Sequence, residues 1–247
     1  LSGSGAVNLT NASVAGSLTT SSGPITLLAS SVKGNVTGGS SGSFANSSIA
    51  GNLQTADRLT TSNATVTGTL TSTNGSVDLS GGTISGLVRS NCCSVTANNT
   101  DLRAGARSDQ SSLSITGGVV TGDFYANNNA ERFTDVTMVS GTISGGSTVT
   151  FSGSAIGTTD TPVTVNSVSG AISLNSGTVI YGDLTAPDYS TVNVSSNSNV
   201  YGTCLPNSTP ANACRSNTEL RLSWWLDETR WTGAAGRAGG WEERPVW

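Results

Sequence analysis

The chain has 247 residues, a formal net charge of −4 and 11 Lys and Arg residues in total. So few cations cannot form the basic stripe that neutralises nucleic acid phosphates or anionic lipid, so we expect no nucleic acid partner and no membrane insertion. The sequence contains no His and no zinc-type Cys spacing, which excludes His-dependent nucleophilic catalysis and predicts neither a metal nor another cofactor.

The remaining composition favours strands and turns. Charged residues make up only 11% and aromatic residues 5% of the chain, whereas Gly, Ser, Thr, Asn and Val fill most of it. These residues are poor helix formers, and Val, Ile and Thr suit a pleated sheet. A disordered chain usually lacks β-branched residues and carries a higher net charge, so we predict an ordered all-β fold.

The first predicted elements belong to a repeat, an apolar-x-Gly-x-apolar unit that begins with Val14 to Leu18 and returns at Val32 to Val36. The first five anchor glycines step by 18, 17, 17 and 18 residues, and Ala104 replaces glycine in a later copy. A constant period of this size is typical of solenoids. The predicted anchors are Gly16, Gly34, Gly51, Gly68, Gly86, Gly122, Gly141, Gly182 and Gly202.

An apolar-x-apolar pair such as Ile25/Leu27 precedes many copies of this unit. Its alternation places both side chains on one face of a strand. Between the pair and the unit, five residues before the anchor, stands an Asn or Gly, the residue types that tolerate a left-handed backbone, which predicts a corner. The predicted corner residues are Asn11, Asn46, Asn63, Gly81, Asn99, Gly117, Gly177 and Asn197.

Each period is therefore predicted to contain two short strands, a corner and a turn. Two strands cannot bury an apolar face alone, but coils stacked about 4.8 Å apart bury continuous columns of Val, Ile and Leu. We predict a parallel β-helix, or β-solenoid, of about 18 residues per coil over residues 1–204, followed by a short irregular C-terminal tail. A β-sandwich would not keep such regular columns. The anchor spacing is lost between Val149 and Val168, which predicts a loop.

The four cysteines fall into two pairs. Cys204 and Cys214 enclose a loop with two prolines, which predicts a disulfide formed in an oxidising compartment. Cys92 and Cys93 are neighbours, and we predict two packed thiols because a disulfide between neighbours departs from the usual geometry.

The composition changes after Cys204, and all five Trp residues lie beyond it. Residues 205–218 are predicted to be a linker that contains Cys and Pro, and residues 219–247 a separate segment. In that segment, Trp225-Leu226-Asp227-Glu228, followed by Trp231-Thr232-Gly233, resembles the opening strand of the concanavalin A-like, or laminin G-like, module of bacterial surface proteins of the MSHA pilus biogenesis MshQ type.

This resemblance implies a surface or pilus-associated protein, because in that family a Gly-Asn-Val-rich solenoid tract and a Cys-containing linker precede the module. The resemblance ends at Gly236, after which the sequence departs from the family. Residues 219–247 are therefore expected to be the truncated start of a lectin-like module or a disordered tail.

Carboxylates on the solenoid are candidate catalysts, because parallel β-helices include enzymes that cleave polysaccharides. Asp123 and Asp183 occupy equivalent outward positions three coils apart, about 14 Å at the usual strand spacing, whereas a glycosidase pair lies within about 9.5 Å. We predict two solvated surface acids. Glu131, Arg132 and Asp135 could form a loop site or an exposed ion pair.

We expect a structural or adhesion-type protein, not an enzyme, that is extracellular or at the cell surface, with the solenoid as a rigid spacer or display rod. Two alternatives stay open, a carbohydrate-active β-helix enzyme or binding module and a self-assembling, bactofilin-like filament. Surface glycans, other surface or pilus proteins and end-to-end copies are the expected partners. Residues 1–5 have no signal-peptide pattern, so we expect a removed signal or a fragment. Sugar platforms need aromatics, and Phe124, Tyr125, Tyr181 and Tyr201 are expected to be scattered.

Overall fold

Three parallel sheets, named faces A, B and C in the order in which the chain visits them, form the walls of the molecule. The computed structural model describes residues 1–211 and 213–215, and these residues contain strands and turns but no helix. Each coil adds one short strand to each face, and about twelve coils stack into a β-solenoid. The predicted fold class is confirmed.

Face A contains one strand of two to four residues from each coil. Each strand pairs in parallel with its equivalents in the neighbouring coils, so that Leu18, Val36 and Leu53 form one inward column. The strands of face A are Ser2–Gly3, Leu18–Thr20, Val36–Gly38, Leu53–Thr55, Leu70–Ser72, Val88–Ser90, Ala106–Ser108, Phe124–Ala126, Thr142–Gly145, Thr164–Ser167, Leu184–Thr185 and Cys204–Leu205.

Face B contributes two inward columns, because its strands are long enough to place two alternate side chains in the core. In the second coil these are Ile25 and Leu27, both fully buried. The strands of face B are Val7–Thr10, Ile25–Leu28, Gly42–Ala45, the start of Leu59–Val66, the start of Val77–Ile84, Val95–Asn98, Leu113–Thr116, Glu131–Thr134, Val149–Ser152, Ile172–Asn175, Val192–Val194 and Ser208–Thr209.

Face C contributes one inward column, which includes Val32, Ile49 and Val66. Two strands continue from face B into face C without a break. The strands of face C are Ser13–Val14, Ser31–Val32, Ser48–Ile49, the end of Leu59–Val66, the end of Val77–Ile84, Asp101–Leu102, Val119–Thr121, Thr137–Ser140, Ala155–Ile156, Val179–Tyr181, Asn199–Tyr201 and Cys214–Arg215.

A coil therefore has three strands, and the prediction of two was wrong. The apolar-x-Gly-x-apolar unit spans a corner: Val14 ends a strand of face C and Leu18 begins a strand of face A. Two apolar residues four positions apart point the same way in a straight strand and also point inward on either side of a corner. The sequence pattern cannot separate these two cases.

The structure departs from a regular repeat, or from its predicted extent, in two further places. Residues 157–163 form the loop that the lost anchor spacing predicted, closed by a hydrogen bond of 3.1 Å from the Thr158 amide to the Thr161 carbonyl. At the other end, Ser208 pairs with Val192 and Cys214 with Val200, so the solenoid continues past the boundary predicted at residue 204. The predicted segment 219–247 lies outside the described residues.

Candidate functional site

The corner between faces C and A contains the predicted anchor glycines, which stack on one another. A Cβ at Gly51 would lie 2.7 Å from the carbonyl carbon of Gly34, and a Cβ at Gly68 would lie 2.7 Å from that of Gly51. Contacts this short are not tolerated by a real side chain, so Gly51 and Gly68 are needed as glycine because the coils approach closely at these positions. Ala104 lies in the same column as these glycines, since a Cβ at Gly122 would lie 2.5 Å from the Ala104 carbonyl carbon.

The residue after the glycine caps the next coil. The Asn35 Oδ1 accepts the Asn52 amide at 2.9 Å, and the Asn52 Oδ1 accepts the Thr69 amide at 2.9 Å. Asp123 and Asp183 occupy the same position, and they accept the amides of Thr142 and Thr203 at 3.0 Å and 2.8 Å. Both acids are exposed, as predicted, but each also holds two coils together.

The corner between faces B and C has the expected left-handed backbone. Asn11, Asn46, Asn63 and Asn99 have φ values between 48° and 51°, and Gly81, Gly117 and Gly177 also have positive φ. Sequence reasoning missed three non-glycine members of this corner. These are Ala29, Asp135 and Ser176, with φ of 49°, 52° and 54°.

Asn197 also lies at this corner, between the strands Val192–Val194 and Asn199–Tyr201, but it does not adopt the left-handed backbone. In that coil a turn replaces the left-handed residue. The Ser198 amide donates to the Ser195 carbonyl at 2.9 Å, and the two hydroxyls lie 2.8 Å apart.

Buried hydroxyls line the inside of the corner between faces A and B. Ser72 donates to the Asp57 carbonyl at 2.7 Å and accepts the Gly75 amide at 3.1 Å. Ser90 repeats the arrangement one coil later, donating to the Gly75 carbonyl at 2.8 Å and accepting the Cys93 amide at 3.0 Å. Because each hydroxyl both donates and accepts, these serines stay satisfied without water.

Glu131 interrupts this pattern. It is fully buried in face B between Leu113 and Val149, beside Gly145 and near Ala126, which take the place of the serine in their coils. Neither carboxylate oxygen has a hydrogen-bond partner among the described residues. Burial raises the pKa of Glu131 to about 8.

The predicted cluster of Glu131, Arg132 and Asp135 does not exist as a site. Glu131 points into the core, the Arg132 side chain is exposed on the outer surface of face B, and Asp135 lies at the next corner. The three residues are neighbours in sequence, but strand alternation sends the first two to opposite faces of the sheet.

All four cysteines of the chain are paired. Cys204 is bonded to Cys214, as the sequence predicted, which closes the last described coil. Cys92 is bonded to Cys93, so the prediction of two packed thiols was wrong. The pair lies on a turn fixed at both sides, because the Cys93 amide donates to the Ser90 Oγ and the Cys93 carbonyl accepts the Ser108 Oγ.

The aromatic residues that the sequence singled out on the solenoid do not form an outward sugar platform. Phe124 is buried and packs edge-on against Phe133, with ring centroids 5.5 Å apart. Tyr181 and Tyr201 come from adjacent coils of face C and stack on each other with centroids 4.8 Å apart. Their ring faces therefore point along the rod axis, whereas a sugar ring stacks on a ring face that is open to solvent.

Within the described residues no group of His, Cys, Asp and Glu could hold a metal ion, and no helix is long and apolar enough to cross a membrane. Comparison with family models, with curated proteins and with solved structures finds no match to the chain. The described residues offer two candidate features, the stacked corners of the rod and a charged cluster on face A that consists of Arg89, Arg107 and Asp109.

Proposed function

We propose that the chain is a structural protein, secreted or at the cell surface, whose solenoid is a rigid spacer or display rod. The observation that carries the proposal is the unbroken parallel pairing of face A, in which twelve strands follow one another without an interruption. At about 4.8 Å per coil, twelve coils form a rod of about 53 Å from the first strand to the last.

The corners favour stiffness. Each coil is bonded to the next through three strands, through the stacked glycines and through side-chain caps such as Asn35 and Asn52. Bending the rod would open hydrogen bonds on one side while compressing glycine contacts on the other. A rod of this kind can hold an attached module at a defined distance from its anchor.

The two disulfides support an oxidising location, since they persist outside the reducing cytosol. Attachment to a pilus is proposed only on the resemblance carried by residues 225–236. Surface glycans and other surface proteins are the corresponding proposed partners.

Two measurements test the proposal. Antibodies raised against residues 1–204 should label intact cells of the source organism, and small-angle scattering of the purified chain should give the profile of a monomeric rod. Labelling only after cell lysis would contradict the surface location. Release of reducing ends from a panel of polysaccharides would favour the enzyme alternative, and filaments in electron micrographs would favour self-assembly.

A further inference from the structure

The described residues contain one place where two cations stand in register on adjacent coils. Arg89 pairs with Arg107 in face A, and Arg107 pairs with Tyr125. All three occupy the outward position of their strands, one above the other at a spacing of about 4.8 Å. Like charges opposite each other in a sheet are unfavourable unless an anion lies between them.

Asp109 supplies that anion. Its Oδ2 accepts the Arg89 Nε at 2.8 Å and Nη2 at 2.6 Å, and its Oδ1 accepts the Arg107 Nε. Partial burial alone would raise the pKa of Asp109, but hydrogen bonds from Arg107 and Arg89 hold it below its ordinary value. The carboxylate is therefore ionised and balances one of the two guanidinium charges.

The second guanidinium charge has no counterion among the described residues. The Arg89 and Arg107 side chains are 45% and 47% exposed, whereas that of Asp109 is 15% exposed. A guanidinium has five N–H donors, and the bonds to Asp109 use the Nε and Nη2 of Arg89 and the Nε of Arg107. Each of the two half-exposed arginines therefore keeps N–H donors that Asp109 does not occupy.

Both guanidiniums are also held in place. The Arg107 guanidinium lies over the Tyr125 ring, 4.8 Å from its centroid, and the Tyr125 hydroxyl donates to the Asn127 Oδ1 at 3.1 Å. Arg89 is held by its two bonds to Asp109. Side chains fixed before binding lose less entropy when a ligand arrives, so the pair is preorganised for a second anion.

The residues around the pair indicate the kind of anion. Thr71 precedes Arg89 in the same outward column and Ser144 follows Tyr125, so the positive charge is flanked by hydroxyls and not by further cations. Nucleic acid binding requires several phosphate contacts. A polysaccharide ligand fits this arrangement, because its sugar hydroxyls can contact the polar neighbours while an acidic group on one sugar unit binds the cationic subsite.

We propose that Arg89 and Arg107 form the acid-group subsite of a binding surface for acidic polysaccharide along face A. The planar guanidiniums donate paired N–H bonds to the oxygens of a uronate carboxylate or a sulfate ester, and Asp109 and Tyr125 position them. This site goes beyond the spacer role, because a spacer does not need to bind a ligand along its wall.

The test measures retention of the purified chain on immobilised polygalacturonate, dextran sulfate and neutral dextran at low salt. The double variant Arg89→Gln/Arg107→Gln should weaken binding to the acidic polymers by about tenfold, because two charge-assisted contacts are lost. The matched control is Arg58→Gln, which removes the arginine of a one-to-one pair with Asp78 at 2.8 Å and should leave binding unchanged. Thermal unfolding verifies that both variants are folded.

The two acidic polymers distinguish a carboxylate from a sulfate ligand. Equal retention of the chain and of the double variant on the acidic polymers would overturn the proposal. Retention of the chain on neutral dextran that equals its retention on the acidic polymers would also overturn it. Stronger binding to single-stranded DNA than to either polymer, lost in the double variant, would assign the subsite to phosphate and also overturn it.

Discussion

Among the described residues, Glu131 is the only Asp, Glu, Lys or Arg whose side chain lies fully inside the core. Its carboxyl group has no hydrogen-bond partner there, so the neutral acid is the form that the core tolerates. In the unfolded chain the same group ionises near 4.5, whereas its pKa in the folded rod is about 8. The folded state therefore binds the proton more tightly.

The stability contributed by the protonated acid is fully present below pH 4.5 and is lost as the pH rises to about 8. Within this window the free energy of unfolding should fall by up to about 1.4 kcal/mol per pH unit. The variant Glu131→Gln cannot ionise, so it should remove this dependence and be more stable than the parent at pH 9. Urea unfolding at pH 5, 7 and 9 checks this, and a parent whose stability does not change across the range would contradict it.

Ala29 is a second residue whose type conflicts with its position. It has φ of 49° in a column where Asn11 and Asn46 adopt the same backbone. An alanine in this conformation costs about 1 kcal/mol, whereas Asn tolerates it. We expect Ala29→Asn to raise the free energy of unfolding by about 0.5 to 1 kcal/mol. Ala50→Asn, at an exposed position without positive φ, is the control and should bring no gain in chemical denaturation.

At the scale of the element, the stacked glycines limit how closely two coils can approach. Gly51 does not have a positive φ, so its substitution by alanine tests space and not backbone strain. The new Cβ would contact the backbone of Gly34. Gly51→Ala should lower the free energy of unfolding by about 1 to 3 kcal/mol, since overpacking forces the coils apart.

Gly16→Ala is the matched variant, because a Cβ at Gly16 has no atom within 4 Å. It should change stability by less than about 0.5 kcal/mol. Equal losses for the two variants in urea unfolding would contradict this prediction, because the loss would then not depend on the contact between coils; an effect through the unfolded chain would instead raise the stability of both variants.

The repeat made the inward columns of each coil predictable, since alternation and a constant period depend on the sequence alone. The number of strands was not predictable, because Val14 and Leu18 point inward whether the chain is straight or turns at Gly16. The burial of Glu131 was equally hidden. It stands where Leu113 and Val149 stand in neighbouring coils, and a charged residue in that pattern is read as a break in the strand.

The charged cluster was also hidden from sequence reasoning. Arg89 and Asp109 are 20 residues apart in the chain, and only the register that pairs Arg89 with Arg107 brings the carboxylate between the two guanidiniums. A period that varies between 17 and 18 residues does not fix that register in advance. The signal that could have found the cluster is the spacing of 18 residues between the two arginines, which equals one coil.

At the scale of the whole molecule, the rod should behave as a linear array in which each coil contacts only its neighbours. Deletion of residues 35–86 joins Gly34 to Leu87 and removes three whole coils, so Val88 takes the place of Val36 in the inward column of face A. Every remaining inward side chain keeps its direction. We expect this variant to fold, with a rod shorter by about 14 Å at the usual coil spacing.

Deletion of residues 35–80 removes fewer residues but joins Gly34 to Gly81, so faces A and B are missing from one coil and the inward columns on either side lose their partners. Strands that are out of register cannot bury the same apolar face, so this variant should lose its cooperative unfolding transition. Circular dichroism and small-angle scattering compare the two deletions. If the in-phase deletion fails to fold while the parent folds, stability is not a sum over neighbouring coils, and the rod requires its full length to form.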